Sequence, residues 1–280
     1  MTDAQTSRAV DSLDSSPNSH RRRPAGSMPA FAPLYVPGTE EVSVRWLSVT
    51  YPLSPNVVDS VLPRPLTTPD APGAIIWIAE FHDARFTDSA GRVETRPPYM
   101  QGGVNLKCQH DGIPGAYAVE TFVEGLNHGI LGREMFGLPK KQVTQVSLEN
   151  TRSGVHFGIV DAHGRRILSG SALDETNAGQ LAPEWFGTQF TAKLIPRADG
   201  PGYDVRKLVR IPFHLGAPGP LRGGHSEIEW HPSPSDPLDL LAPTGPVRAA
   251  WGEAELAIDY GTYVADLNPD ELPVYGTPSW

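Results

Sequence analysis

Turn signals recur roughly every ten residues along this chain, and they limit how far any segment can run before reversing. With 29 Pro and 28 Gly in 280 residues, both breakers exceed their usual share of a globular sequence. Between them lie runs of alternating or β-branched apolar residues: "EVSVRWLSVTYPL", "GAIIWIAEFHDARF", "GGVNLKCQHDG", "GAYAVETFVEG", "KQVTQVSLEN", "GVHFGIVDAHG", "RRILSGSALDE", "TQFTAKLIPRADG", "VRKLVRIPFHLG", "HSEIEWHPS" and "AAWGEAELAIDYGTYVADL". Alternation with period two is the mark of a strand with one face buried. The pattern predicts one mainly β (α+β) domain, a meandering sheet closing on itself, with a few short helices. "SPNVVDSVLPRPL" reads as a short helix stopped by proline, and "NHGILGREMFG" as a short helix or a turn-rich segment. There is no internal repeat and no linker. Residues 1–28 are polar and Ser/Arg-rich and are expected to form a disordered tail, followed by one domain over 29–280.

Composition removes several functional classes. The net charge is −9 with no Lys/Arg stripe among aromatics, so nucleic acid is not an expected partner. No segment reaches the ~20 apolar residues of a membrane span, and the Arg-Arg-Arg run near the start has no apolar stretch after it. A single cysteine, Cys108, rules out an internal disulfide framework and suits a reducing cytoplasm. Its place in an alternating run makes it a packed thiol.

The segment with chemistry in it is "NHGILGREMFGLPKKQ", residues 127–142. A lysine that attacks a carbonyl must be neutral, and at a pKa of about 10.4 only roughly one in a few thousand is neutral at pH 7. Lowering the pKa toward 7 takes about 4–5 kcal/mol of disfavour for the ammonium, from burial or from a second cation. Met135, Phe136 and Leu138 can line a dry pocket, and Lys141 is a nearby positive charge. If the doublet opens a strand, however, its two side chains point to opposite faces. Desolvation then does most of the work on Lys140, and Lys141 is left to pair with an acid such as Glu134.

"GREMFGLPKK" resembles the signature of the acetoacetate decarboxylase superfamily, whose lysine is a standard example of activation by desolvation or a neighbouring cation. "VTYPLSPNVVDSVLPRPL" and "AIDYGTYVADL" are similar to the family's opening and closing segments, so the likeness covers about residues 35 to 268. The resemblance implies curved antiparallel sheets forming a closed β-barrel or cone, and a homo-oligomer, tetramer or larger. It makes Lys140 the Schiff-base lysine and implies no cofactor beyond that covalent imine.

The same resemblance exposes departures. Gln101 stands where decarboxylases carry a glutamate, and Val44 and Trp77 replace an arginine and a second glutamate; Arg45 is one residue off, on the other face of its strand. A neutral glutamine can hydrogen-bond a carboxylate where a glutamate would repel it. This favours retention of a 2-keto acid's carboxylate, as in the pyruvate aldolase-dehydratases with glutamine here. The expected activity is condensation of pyruvate or a related 2-keto acid with an aldehyde, then dehydration, in a secondary-metabolic setting. Tyr260 is the expected proton shuttle; Tyr99, Arg133 and Trp77 are expected at the substrate, with Glu134 and Lys141 in support and His128 structural.

Other readings are an acetoacetate-type decarboxylase and a barrel that binds or cyclises a small molecule without covalent chemistry. A metal enzyme built on His225, Glu227 and His231 is disfavoured by their spacing.

Overall fold

The computed structural model describes residues 37–125, 127–175, 187–216 and 221–276, with the backbone alone for 127–130. The expected tail, residues 1–28, lies outside the described residues. The chain divides into Met1–Pro37 and Gly38–Trp280, and the second unit carries the helices and strands of the described residues.

In chain order these are β1 (Gly38–Pro52), α1 (Pro55–Val61), β2 (Gly73–Asp88), β3 (Val93–Thr95), β4 (Tyr99–His110), β5 (Ile113–Glu124), α2 (Asn127–Phe136), β6 (Lys140–Asn150), β7 (Gly154–Asp161), β8 (Arg166–Leu173), β9 (Thr188–Pro196), β10 (Tyr203–Leu215), β11 (Arg222–Trp230), β12 (Arg248–Ile258) and β13 (Thr262–Asp266). The strands form one 13-stranded sheet in the order β13-β10-β9-β5-β4-β2-β1-β12-β11-β8-β7-β6, with β3 paired to β2. Pairing is antiparallel except that β5 runs parallel to both β6 and β9.

The expectation of antiparallel sheets in a closed barrel or cone is therefore corrected to a mixed α+β domain on one large, mostly antiparallel sheet. A simple barrel gives each strand two neighbours, whereas β2, β5, β10 and β12 each have three. β5 pairs with β9 at Ala116–Tyr117 and with β6 at Thr121–Glu124. β12 pairs with β11 through Arg248–Trp251 and with β10 through Leu256–Ile258. Each of these strands passes from one neighbour to another partway along its length, so the sheet branches. Turn spacing in the sequence reports strand number and carries no trace of such hand-overs.

β1 shows why the sheet has two packed faces. Leu47, Val49 and Tyr51 point into the main core with Ile76, Ile78, Val104, Phe122 and Ile159. Val42, Val44 and Trp46 point the other way, into a second cluster with Ala79, Phe81, Ala250 and Ala254. Each large side chain so buried contributes about 1.5–3 kcal/mol, so both faces hold β1 in register.

The parallel β5/β6 pair dictates the next feature. Parallel neighbours need a crossover of a dozen or so residues, usually a helix, and α2 is that crossover. The segment the sequence left ambiguous is thus a helix, delivered directly to the start of β6. α1 is shorter, with Pro55 in its first turn and Val58 and Val61 buried.

Candidate active site

Lys140 is the first residue of β6 and lies opposite Thr121 of β5. The same cross-strand row continues through Gly103 of β4, Trp77 of β2 and Ser48 of β1. One step along the strands, the next row on this face holds Val123, Gln101, Ala79 and Trp46; the one after holds Tyr99, Phe81 and Val44. Residues opposite one another share a face. Sheet register therefore gathers Lys140, Gln101, Tyr99, Trp77 and Val44 on one side of the sheet, which is the side of the second apolar cluster.

Helix α2 covers the lysine. A Cβ added to Gly132 would fall 2.9 Å from Lys140 Cε and 3.0 Å from Nζ, so only a glycine lets the helix approach this closely without moving the amine. Burial pushes the Lys140 pKa down to about 8, against a nearby carboxylate, Glu40, that favours the ammonium. At pH 7 roughly one amine in ten is then neutral.

The helix end is fixed tightly. Gly137 (φ +74°) takes the left-handed turn that ends many helices, and a Cβ there would collide with the Lys193 backbone. The Thr191 hydroxyl donates to Phe136 O, and Lys193 Nζ donates to Met135 O at 3.0 Å. Arg133, expected at the substrate, is exposed and donates to the Lys140 carbonyl at 3.1 Å, which fixes the lysine's backbone.

Lys141 points to the opposite face, as strand alternation requires. Its expected partner Glu134 is exposed on α2, and the structure corrects that pairing. Lys141 Nζ instead contacts Glu120 Oε1, Asp236 Oδ1 at 2.9 Å and the Ser235 carbonyl at 2.6 Å. Burial pulls its pKa down, but Glu120 and Asp236 outweigh that and leave it raised. Glu120 moves the same way: burial lifts it to about 7, with Lys141 only partly opposing. An ion pair alone would lower Glu120; desolvation and the second carboxylate, Asp236, reverse the sign.

Gln101 is buried, and its side chain hydrogen-bonds the Tyr99 phenol. Burial, aided by Glu40, raises the Tyr99 pKa far above its ordinary value, so the phenol stays protonated. The Tyr99 ring stacks on Phe81 with centroids 4.8 Å apart and planes 7° from parallel. Trp77 Nε1 donates to Asn105 Oδ1 at 3.3 Å. Arg45, on the other face from Val44, donates to Glu80 at 2.8 Å and to Leu148 O at 2.9 Å.

Tyr260 was expected inside one closing strand, but that segment is two strands, β12 and β13, and Tyr260 stands exposed in the break between them. Its neighbour Gly261 approaches Phe136 of α2. The His128 side chain lies outside the described residues. Among the described residues no cluster of His, Cys, Asp and Glu could hold a metal ion; His225 and Glu227 are exposed, and His231 sits 3.6 Å from Glu229. Cys108 is buried and its thiol pKa is raised by burial, as for a packed thiol.

Sequence reasoning missed Glu40, Arg96 and Thr121. Glu40 begins the stripe Glu40–Val42–Val44–Trp46 and is bound by Arg96 at 2.8 Å; only the apolar alternation downstream hinted at its face. Thr121 is buried, and its hydroxyl has no hydrogen-bond partner among the described residues.

A desolvated lysine opening a strand, under a helix that crosses between parallel neighbours, thus places an amine of lowered pKa on the same sheet face as Gln101, the protonated Tyr99 and an apolar cluster. Such an amine can add to a carbonyl. The acetoacetate decarboxylase (ADC) family profile matches residues 24–267, and the chain belongs to that enzyme family. It is 27% identical over 253 residues to the acetoacetate decarboxylase of Chromobacterium violaceum, spanning 88% of this chain and 96% of that one. It is 25% identical over 249 residues to that of Burkholderia multivorans, at the same coverages of 88% and 96%. A solved acetoacetate decarboxylase superposes with a TM-score of 0.74 at 17% identity, covering 86% of this chain and 95% of the other. The enduracididine biosynthesis enzyme MppR, in complex with the condensation product of pyruvate and imidazole 4-carboxaldehyde, superposes at 0.71 and 16% identity, covering 86% and 97%. The fold thus matches both kinds of relative about equally well. Among the described residues no helix is long and apolar enough to cross a membrane.

Proposed function

We propose that this protein is a Schiff-base-forming lyase that condenses pyruvate or a related 2-keto acid with an aldehyde and then dehydrates the aldol. The observation that carries the reading is the pairing of a half-buried Lys140, its amine depressed to about 8, with a buried neutral Gln101 on the same sheet face.

The neutral Lys140 amine adds to the keto carbon, and loss of one water gives the imine. A proton leaves the adjacent methyl carbon, and the resulting enamine attacks the aldehyde carbon, whose oxygen becomes a hydroxyl. Loss of that hydroxyl as a second water forms the double bond. Hydrolysis of the imine consumes one water and frees the lysine, so the net change is keto acid plus aldehyde to unsaturated keto acid plus water. Gln101 and Tyr99, both uncharged hydrogen-bonding groups, hold the carboxylate without repelling it. Trp77 and Val44 keep water from the enamine. Tyr260, exposed beside the α2 end, is the group to carry protons between solvent and the site. No cofactor takes part in these steps. The homo-oligomer suggested by the family resemblance belongs to this proposal as well.

A second reading, acetoacetate decarboxylation, is favoured by Glu40, a carboxylate near enough to act on Lys140 and so placed to repel a β-keto acid's carboxylate held there. Borohydride trapping with pyruvate, read by intact mass and peptide mapping with Lys140→Ala alongside, tests the first. An adduct on Lys140 that is absent from the variant supports it. CO2 release from acetoacetate without any pyruvate adduct moves the assignment to the second, and no adduct with any keto acid ends both.

A further inference from the structure

The row that carries Lys140 contains an anomaly. Thr121 is 1% exposed, lies directly opposite Lys140, and shares its face of the sheet. Its backbone N–H is used, donating to Pro139 O at 3.1 Å, yet its hydroxyl has no partner among the described residues. Burying a hydroxyl without a partner is costly, and a valine of the same shape would fit the strand as well. The other hydroxyl in this row, Ser48, is also 1% exposed and unpaired. Thr121 is also a diagonal neighbour of Gln101, since Thr121 pairs with Gly103 and Gln101 with Val123. Such diagonal positions lie about 7–8 Å apart in Cα terms, a span that two side chains and one carboxylate can bridge.

We propose that Thr121 is a substrate-binding residue of this site, its hydroxyl donating a hydrogen bond to a carboxylate oxygen of the keto acid held on Lys140, with Gln101 taking the other oxygen. The inference rests on the Schiff-base reading. It accounts for the unpaired hydroxyl: the partner arrives with the substrate. It also gives the carboxylate a further neutral donor, on the strand next to the one that carries Gln101 and Tyr99, so the anion is recognised by uncharged groups.

The test uses two carbonyl probes, pyruvate and acetone, which both form imines while only pyruvate carries a carboxylate. Borohydride-trapped adduct on Lys140 is measured against probe concentration for the full chain and for Thr121→Val and Thr121→Ser. Thr121→Val is expected to raise the half-saturating pyruvate concentration by about 10- to 100-fold, the range for a hydrogen bond to a charged group. It should leave acetone trapping unchanged and the melting temperature unchanged or higher. Thr121→Ser should restore pyruvate trapping. Equal weakening with both probes, a lowered melting temperature in Thr121→Val, or no change with either probe overturns the role of Thr121 while leaving the imine intact. Absence of any adduct in the unaltered protein is the distinct outcome that removes the Schiff-base reading, and this inference with it.

Discussion

Gly132→Ala separates the geometry of Lys140 from its protonation. The new methyl carbon would lie 3.0 Å from Nζ and 2.9 Å from Cε, where carbon contacts settle at about 3.5–4.0 Å. The lysine end must therefore retreat by about 0.5–1 Å. Because the displaced atoms are the far end of a flexible side chain, the fold has little to lose. Gly132 is interior to α2, and alanine there gains up to about 1 kcal/mol of helix propensity. The stability change should fall between zero and that gain, after a rotamer cost of about 0.5–1 kcal/mol. Two effects on chemistry compete. A misplaced nucleophile loses about 10²-fold for 1 Å, while deeper burial could lower the pKa and raise the neutral fraction. That fraction is already roughly one in ten at pH 7, so burial can return at most about tenfold. Measuring borohydride-trapping rates at pH 9, where about nine in ten amines are neutral from a pKa of about 8, removes the second effect. The variant should then trap about 10- to 100-fold more slowly, with an undiminished melting temperature. Trapping at the unaltered rate at pH 9, or a loss of several kcal/mol in stability, would refute the close helix–lysine approach as the determinant.

Three further outcomes follow from the charges. Lys140→Met should stabilise the protein at pH 7 by on the order of 2 kcal/mol, a value reduced for the lysine's partial exposure. The folded pKa is depressed from 10.5 to about 8, so the lysine's penalty is full below about 8 and fades as pH rises to 10.5; chemical denaturation at pH 7 and pH 10.5 reads the gain and its loss. Lys141→Met leaves Glu120 and Asp236 facing each other and should cost on the order of 3 kcal/mol at pH 7, the low end for a broken buried pair because its side chain is 31% exposed. Glu120, raised from 4.5 to about 7, makes stability fall as pH rises across that window, so the cost should shrink by pH 5, and denaturation curves at both pH values check it. Glu40→Gln removes a charge that favours the Lys140 ammonium, so the pH profile of trapping should move to lower pH; a shift upward would contradict the assigned sign.

What could be read from the sequence is what a strand's period of two encodes. Gln101 and Tyr99 are two residues apart, so their common face was visible, as were the opposite faces of Lys140 and Lys141. The partners of these residues come from register between distant strands. Glu120 meets Lys141 because Phe122 pairs with Lys141, and Asp236 arrives from a loop about a hundred residues on; neither has a local signature. Glu134, the nearby acid the sequence offered, lies on the helix and exposed. The branching at β2, β5, β10 and β12 was equally hidden, since an alternating run looks the same with two neighbours or three. Tyr260 was misplaced for a related reason: "AIDYGTYVADL" alternates well enough to read as one strand, but Gly261 and the change of partner from β12 to β13 break it.

The lysine doublet makes sense as a division of labour imposed by that same alternation. Two adjacent cations on one face would compete for the same water and anions. On a strand they are sent to different environments, and each environment moves its residue the other way. On the helix-covered face, burial outweighs the nearby Glu40 carboxylate and depresses Lys140. On the opposite face, two carboxylates and a carbonyl hold Lys141 as an ammonium. The second lysine therefore does not act on the first as a neighbouring cation, since its charge is already matched by Glu120 and Asp236. Its contribution is mechanical: a charged side chain pinned under the sheet fixes the backbone of β6 from below, while Arg133 holds the Lys140 carbonyl from the helix side. With the strand clamped from both faces, the close approach of Gly132 limits where the Lys140 amine can sit.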